Sequence, residues 1–253
     1  MKTLSASVDR ARIITLSVLV LSALVLTTPS WAAFTTDFRP EDCTWSSKGS
    51  QNPHFSLKPR YEIVLEGEEE DDGETVEIRA EITVLRKTKR ITFESARGDM
   101  ISVRARVIEE REWEDGELIE VSKNWFARCV ETSDIYYFGE GVDIFEDGDI
   151  VSHDGAWIAG EDGALPGIIM PGTFLLGSKY YQEIAPDVAL DRAKHVDMGL
   201  EVTTPAGTFT DCVAVVDSTP LDPEAQDLKL YCPGVGIAVD DVLEVTEYGR
   251  AQP

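Results

Sequence analysis

Residues 203–241 read TTPAGTFTDCVAVVDSTPLDPEAQDLKLYCPGVGIAVDD, and they decide the fold: two strands, three turns and two of the chain's four cysteines lie within them. In Thr204-Pro205-Ala206-Gly207, proline presets φ at the second turn position and glycine supplies the left-handed residue that a type I turn with a bulge requires. Gly199 to Thr203 is therefore expected to pair antiparallel with Thr208 onward. Thr210 to Val216 is apolar on both faces, with Val213 and Val215 on one and Cys212, Ala214 and Val216 on the other. That pattern marks a central, covered strand. After the polar loop Ser218 to Gln226, the next strand carries Leu228, Leu230 and Cys232 on one face. A hairpin centred near Asp222 sets Cys212 opposite Cys232, Ala214 opposite Leu230 and Val216 opposite Leu228, and a one-residue slip breaks all three matches. Cys232-Pro233-Gly234-Val235 reads as a type II turn into a last strand pair, Gly236 to Glu247.

Upstream, the same alternation recurs. Tyr61 to Gly67 reads as a strand followed by the acidic tip Glu68 to Gly73. Thr75 to Val84 places Val76, Ile78, Ala80, Ile82 and Val84 inward, and a shorter strand follows near Ile91 and Phe93. Met100 to Trp113 carries Ile101, Val103, Ala105 and Val107 on one face and Arg104 and Arg106 on the other; Glu114-Asp115-Gly116 turns it back into a strand ending at Cys129. Gly160 to Gly177 holds two prolines and several glycines, so it reads as an apolar loop that plugs the barrel or lines a cavity mouth. Asp187 to His195 is the one stretch read as a short helix. The expected fold class is mainly β: an antiparallel meander curled into a barrel or half-barrel, with little helix.

The chain's first 32 residues carry Lys2, Arg10 and Arg12, then the apolar run Ile13 to Leu26, then Ser30-Trp31-Ala32. Basic start, short apolar run and small residues before the cut are the parts of a secretory signal peptide. The run is shorter than the ~20 residues a bilayer span needs, so no stable membrane insertion is expected after cleavage. The remainder, 33–253, has the size of one β-rich domain, with 33–59 as an irregular N-terminal arm. Four cysteines in an exported chain imply two disulfides, Cys212 with Cys232 by register and Cys43 with Cys129 as the remainder. Export places the protein in the periplasm or outside the cell.

Lys and Arg number 23 against 47 Asp and Glu, a formal net charge of −24. Such a field repels nucleic acid and anionic headgroups and excludes both as partners. It serves solubility in a salty habitat, or attracts divalent cations or basic partners. Asp143, Asp147 and Asp154 fall at positions one, five and twelve of a calcium-loop pattern, but Phe145 occupies position three, where an oxygen ligand belongs. The pattern makes calcium the one candidate cofactor, with Asp147-Gly148 read alternatively as a hairpin turn. No nucleophile elbow, zinc-binding helix, Cys-x-x-Cys pair, phosphate loop or dinucleotide glycine pattern is present. His54, His153 and His195 are scattered and read as surface residues, and the abundance of carboxylates leaves no single pair informative.

Asn52-Pro53-His54-Phe55-Ser56-Leu57-Lys58-Pro59, Tyr136-Tyr137-Phe138-Gly139-Glu140, Pro166-Gly167-Ile168-Ile169-Met170-Pro171, Thr204 to Cys212 and Tyr231 to Ile237 together resemble the markers of a family of uncharacterised exported bacterial β-rich proteins. The resemblance implies a β-rich exported protein and assigns no catalytic residue. His54 and Cys232 stand where that pattern has an aromatic and a small residue. The meander with its terminal Pro-Gly-Val-Gly turn is also distantly similar, in topology, to periplasmic half-barrels of the lipoprotein-carrier type, a likeness that gives no function. The expected role is non-enzymatic binding of an apolar or amphipathic small molecule in the β cavity. The alternatives are a carboxylate-based hydrolase or isomerase, and a structural envelope-interaction protein without a cavity. The first measurable consequence is the mature N-terminus: intact mass of the exported protein is expected to match a chain beginning at Ala33, and full-length chain in the membrane fraction would contradict it.

Overall fold

The computed structural model describes residues 33–251 apart from 50 and 72. The leader reading, on residues 1–32, lies outside the described residues. In chain order the strands are β1 (Trp45–Ser46), β2 (Tyr61–Asp71), β3 (Glu74–Glu94), β4 (Met100–Glu114), β5 (Glu117–Cys129), β6 (Ile135–Glu146), β7 (Asp149–Ser152), β8 (Trp157–Ile158), β9 (Leu165–Met170), β10 (Lys179–Tyr181), β11 (Glu183–Ile184), β12 (Arg192–Thr204), β13 (Gly207–Ser218), β14 (Gln226–Cys232), β15 (Gly236–Asp240) and β16 (Leu243–Arg250). They form one antiparallel sheet in the order β10-β12-β13-β14-β15-β16-β2-β3-β4-β5-β6-β9-β11, with β1 added to β5, and β7 and β8 to β6. The protein is mainly β, and the path ends at β10 and β11 without closing into a barrel.

The deciding stretch folds in the expected register. Ala214 pairs with Leu230 and Val216 with Leu228, and Ser218 faces Gln226 across a loop centred on Asp222. Thr204 pairs with Gly207, whose φ of 140° takes up the positive value while Pro205 and Ala206 stay negative. Gly234 has φ 79° and the Val235 amide donates to the Cys232 carbonyl at 3.2 Å, the expected type II turn. Both disulfides form, Cys43–Cys129 and Cys212–Cys232, with Cα separations of 5.0 and 4.2 Å. Two disulfides point to an oxidising, non-cytoplasmic environment. Among the described residues no helix is long and apolar enough to cross a membrane.

Four expectations are corrected. Asp187 to His195 is not helical: Ala185 and Ala189 form a tight bridge, and β12 then begins at Arg192. Buried Ala193 and His195 alternate there with Lys194 and Arg192 toward the outside, a period of two that decides for a strand. Gly160 to Gly177 is not wholly loop, because Leu165–Met170 forms β9 between β6 and β11. Pro166 stands near its start, where a missing amide interrupts little of the ladder. Gly167 allows the crossing: a Cβ there would lie 2.5 Å from the carbonyl oxygens of Tyr181 and Gln182. The strand near Ile91 is no separate element but the far half of β3, joined across a bulge at Val84–Thr88. Arg106, read as outward-facing, is 4% exposed and fills that bulge; its guanidinium donates to the carbonyls of Leu85, Arg86 and Lys87 and, from the arm, of Ser47.

The arm is fixed by pairing as well as by its disulfide. Trp45 and Ser46 pair with Cys129 and Arg128, and the Trp45 ring meets Tyr136 and Phe138 edge-on at 5.0 and 5.2 Å. Asn52, 2% exposed, donates to the carbonyls of Ser133, Met170 and Pro171. Its own oxygen accepts the His54 amide at 2.9 Å, which aims residues 54–56 across the concave side of the sheet.

The two disulfides differ in the loops they close, with sequence separations of 86 and 20. On the chain-entropy account, removing Cys43–Cys129 by paired serine substitution is expected to cost about 4.5 kcal/mol and removing Cys212–Cys232 about 3 kcal/mol. Urea unfolding of the two double variants checks the order, and a larger loss for the shorter loop would contradict it.

Candidate functional site

Two turns first dispose of the calcium-loop residues. Asp147 and Gly148 join β6 to β7 with φ of 52° and 84°, both positive as a two-residue type I′ hairpin requires. Asp115 and Gly116 do the same between β4 and β5. Asp143 lies on β6, 3.7 Å from the Lys123 ammonium and 3.0 Å from His153 Nδ1, while Asp147 and Asp154 lie in exposed turns. The structure does not gather these three carboxylates. Among the described residues the one His, Cys, Asp or Glu set at ligand spacing is Cys43, Cys129 and Glu131, and its two sulfurs are joined in a disulfide.

The functional candidate is inside the sheet. A cavity of about 430 Å³ is lined from β2, β3, β4, β5, β6, β9, β11, β14 and β15 and by residues 54–56 of the arm. Alternation sets its chemistry. Ile108, Glu110 and Glu112 are successive residues on one face of β4, and their partners on β5 are Asn124, Ser122 and Glu120. On the other side β3 offers Val84 opposite Ile108 and Ile82 opposite Glu110. The wall thus runs from apolar to acidic along one strand, and Glu112 and Glu120 are like charges directly across a ladder.

The opposite wall carries the cation. Lys229 and Tyr231, on one face of β14, point into the cavity, while Leu228 and Leu230 occupy the other face. That other face belongs to a second apolar cluster, with Cys212, Cys232, Val202 and Val245, and Leu228 at its margin is 44% exposed. The Lys229 ammonium lies 3.2 Å from Asp240 and 3.6 Å from Asp217. Asp217 also accepts from the Gln182 side chain at 3.0 Å. Tyr137 donates its hydroxyl to Asn124 at 2.5 Å, Tyr61 donates to the carbonyls of Gly234 and Val235, and Phe126 stacks on Tyr137 with ring centres 4.7 Å apart.

Burial and crowding move these groups far from their ordinary ionisation. Desolvation, with Glu112 beside it, pushes the Glu110 carboxyl up to about 8; desolvation and Glu120 push Glu112 up to about 7. Glu140 rises to about 7 through burial, and Asp217 rises to about 6 through burial despite Lys229. Glu183, fully buried, is raised well above the carboxylate range by the same desolvation, although its oxygen accepts the Asp191 amide. Burial works against the Lys229 charge, but Asp240 and Asp217 outweigh it and hold the ammonium protonated.

The three histidines separate. His153 is at the surface beside Asp143. His54 and His195 are not surface residues: His195, 1% exposed, is satisfied by the Tyr180 hydroxyl at 2.9 Å and the Leu175 carbonyl at 3.0 Å and stacks on Phe174. His54, 8% exposed, is on the cavity wall, and its Nε2 has no hydrogen-bond partner. Burial lowers both imidazoles, His195 to about 4.

The carboxylates that sequence reasoning set aside as uninformative are therefore the site. The signal was the run Ile108-x-Glu110-x-Glu112, an apolar face continuing into two glutamates. Family models, characterised proteins and solved structures give no match to this chain.

The raised carboxyls fix a pH dependence. The folded protein keeps protons on Glu110 and Glu112 up to about 8 and 7, whereas the unfolded chain releases them near 4.5, so stability falls as pH rises through that window. His195 acts in the opposite sense, adding stability as pH rises, but only between about 4 and 6.5. From pH 6.5 to 9 the melting temperature is expected to fall by about 5 °C or more, and Glu110→Gln to flatten the slope and melt higher than wild type at pH 8.5. Superimposable profiles from calorimetry would show that Glu110 is already ionised in the folded protein.

Proposed function

We propose that the protein is a non-enzymatic binding protein, exported from the cell, whose sheet curls as a half-barrel around a small amphipathic molecule. The observation that carries this reading is the cavity, about 430 Å³, whose lining combines the apolar side chains Ile82, Val84, Ile108 and Phe126 with the polar Lys229, Tyr231 and Asp240. A volume of that size suits one small ligand. Apolar and polar groups in one lining suit a molecule with an apolar body and a polar end. The arm supports it further, since Asn52 and the Cys43–Cys129 bond hold residues 54–56 at the cavity as part of its wall.

The catalytic alternative draws on the neutral carboxyls, because raised pKa values cluster at active sites. Against it, no serine, cysteine or threonine in the lining is hydrogen-bonded to a base: Ser122 Oγ accepts from Asn124 instead. The structural alternative without a cavity is disfavoured by the open volume itself, because an interior that binds nothing is stabilised by filling it.

Ser122 is buried on the cavity wall, so Ser122→Trp fills the interior with a side chain. Native mass spectrometry of the protein purified from its own host is expected to show a co-purifying small molecule in wild type and none in Ser122→Trp. Ligand-free wild type, together with a Ser122→Trp variant that melts higher, would support the structural alternative.

A further inference from the structure

We propose that the molecule held in this cavity is an organic cation: an amine whose ammonium groups sit among the interior carboxylates and whose hydrocarbon body lies against the ring faces of Phe126 and Tyr231. The inference rests on the binding-protein reading and names its ligand class.

Charge balance is the first argument. Glu110 and Glu112 from β4, Glu120 from β5, Glu140 from β6, Glu183 from β11, Asp240 from β15 and Asp191 reach the lining, and Lys229 is the one Lys or Arg in it. That ammonium is already committed to Asp217 and Asp240. No hydrogen bond or ion pair among the described residues reaches the carboxyls of Glu110 or Glu112, which are half-buried on the cavity wall. Buried polar groups in folded proteins are nearly always satisfied, and unsatisfied ones facing a cavity identify what is missing from it. Acceptors outnumber donors here, so the missing partner is a donor, and a positively charged one gains most.

Unused histidine chemistry is the second, independent argument. His54 is more than nine-tenths buried, belongs to the same wall and leaves Nε2 without a partner. It reaches the lining from the arm, whereas the carboxylates come from the strands, so one ligand can meet both.

Geometry distinguishes an amine from a metal ion. A calcium or magnesium ion needs its oxygens gathered about one point at 2.0–2.6 Å. The cavity carboxylates do not gather: none belongs to a ligand-spaced set among the described residues. They are spread around a volume much larger than one ion. Spread carboxylates with aromatic faces between them match an elongated ammonium compound, which the rings also attract through their negative faces. Fatty acids and anionic lipids are disfavoured by the same carboxylates.

Isothermal titration of the ligand-stripped exported protein, at matched ionic strength, decides the matter with spermidine and dodecyltrimethylammonium as cationic probes and laurate, dodecyl maltoside and calcium chloride as the others. At least one cationic probe is expected to bind one-to-one, to bind about tenfold tighter at pH 8 than at pH 6 as the carboxyls ionise, and to release protons on binding. The Glu110→Gln, Glu112→Gln double variant is expected to lose about tenfold or more in affinity while retaining its melting transition. Binding of laurate or dodecyl maltoside without either cation would overturn the cationic assignment and leave the binding-protein reading intact. Calcium binding in the cavity tighter than both amines would overturn it in favour of a metal site. Binding by none of the five probes would overturn the assignment, and an empty cavity in host-purified protein would then remove the binding-protein reading as well.

Discussion

The ammonium of Lys229, held between Asp217 and Asp240 inside the sheet, is the interaction on which the interior's charge balance depends. Two unit charges at that range attract by about 4 kcal/mol at an effective dielectric of 20. A buried lysine left alone loses its proton; here the two aspartates keep it. One cation cannot balance every carboxylate around it. The remaining conflict is resolved by protonation: Glu110, Glu112 and Glu140 rise to about 8, 7 and 7, so that Glu110 is largely neutral near physiological pH and the other two are partly so. A protein selected for stability alone would replace such groups with apolar ones of equal volume, often at no cost. Their retention in one cavity points to use.

The sheet gives that cavity its shape by failing to close. No ladder joins β10 to β11, although Gln182 alone separates them in the chain, and other devices fix strands along the path. Cys212–Cys232 ties β13 to β14 beyond their last ladder pair, and Cys43–Cys129 ties the arm to β5. Asn52 links the arm to the β9 end through the carbonyls of Met170 and Pro171. Arg106 performs the same service at the β3 bulge, where three successive carbonyls turn away from the ladder and accept from one guanidinium. Asn52 and Arg106 satisfy backbone carbonyls that a regular sheet would have paired, and the disulfides tie the chain covalently.

Much of this was legible in residues 203–241, where turn chemistry at Pro205, Gly207, Pro233 and Gly234 left one register that matches apolar faces. Both disulfides followed from it. The apolar pattern of β14 does not report which of its faces meets the cavity. Leu230 and Cys232 belong to a second cluster, Leu228 on the same face is exposed, and Lys229 and Tyr231 face the cavity. A cavity that keeps solvent or ligand inverts the usual pattern, because its lining is polar. The β4–β5 hairpin shows a second limit. A two-residue turn at Asp115-Gly116 pairs Glu112 with Ile119 by simple counting, but a bulge between Glu112 and Trp113 moves the partner to Glu120. Bulges are invisible to alternation, and this one creates the like-charge pair at the heart of the site. Arg106, Asn52 and His54 escaped for a related reason: each is buried by irregular backbone around it, which no period reports.

Surface and interior then act on the same kind of molecule by different physics. The net charge of −24 raises the local concentration of cations and speeds their arrival, an effect that salt screens within about 10 Å. It attracts sodium, calcium and amines alike, so it cannot select. Inside, the carboxyls are neutral until something makes ionisation favourable, and a bound ammonium does so by replacing the water that burial removed. A small hydrated metal ion gains little from acceptors scattered over several strands. An amine with an apolar body gains from the carboxylates, the ring faces and the exclusion of water together. On the proposed reading, selectivity resides in the spacing of Glu110, Glu112, Glu120 and Asp240 around one volume, and the acidic exterior only raises the local concentration of cations.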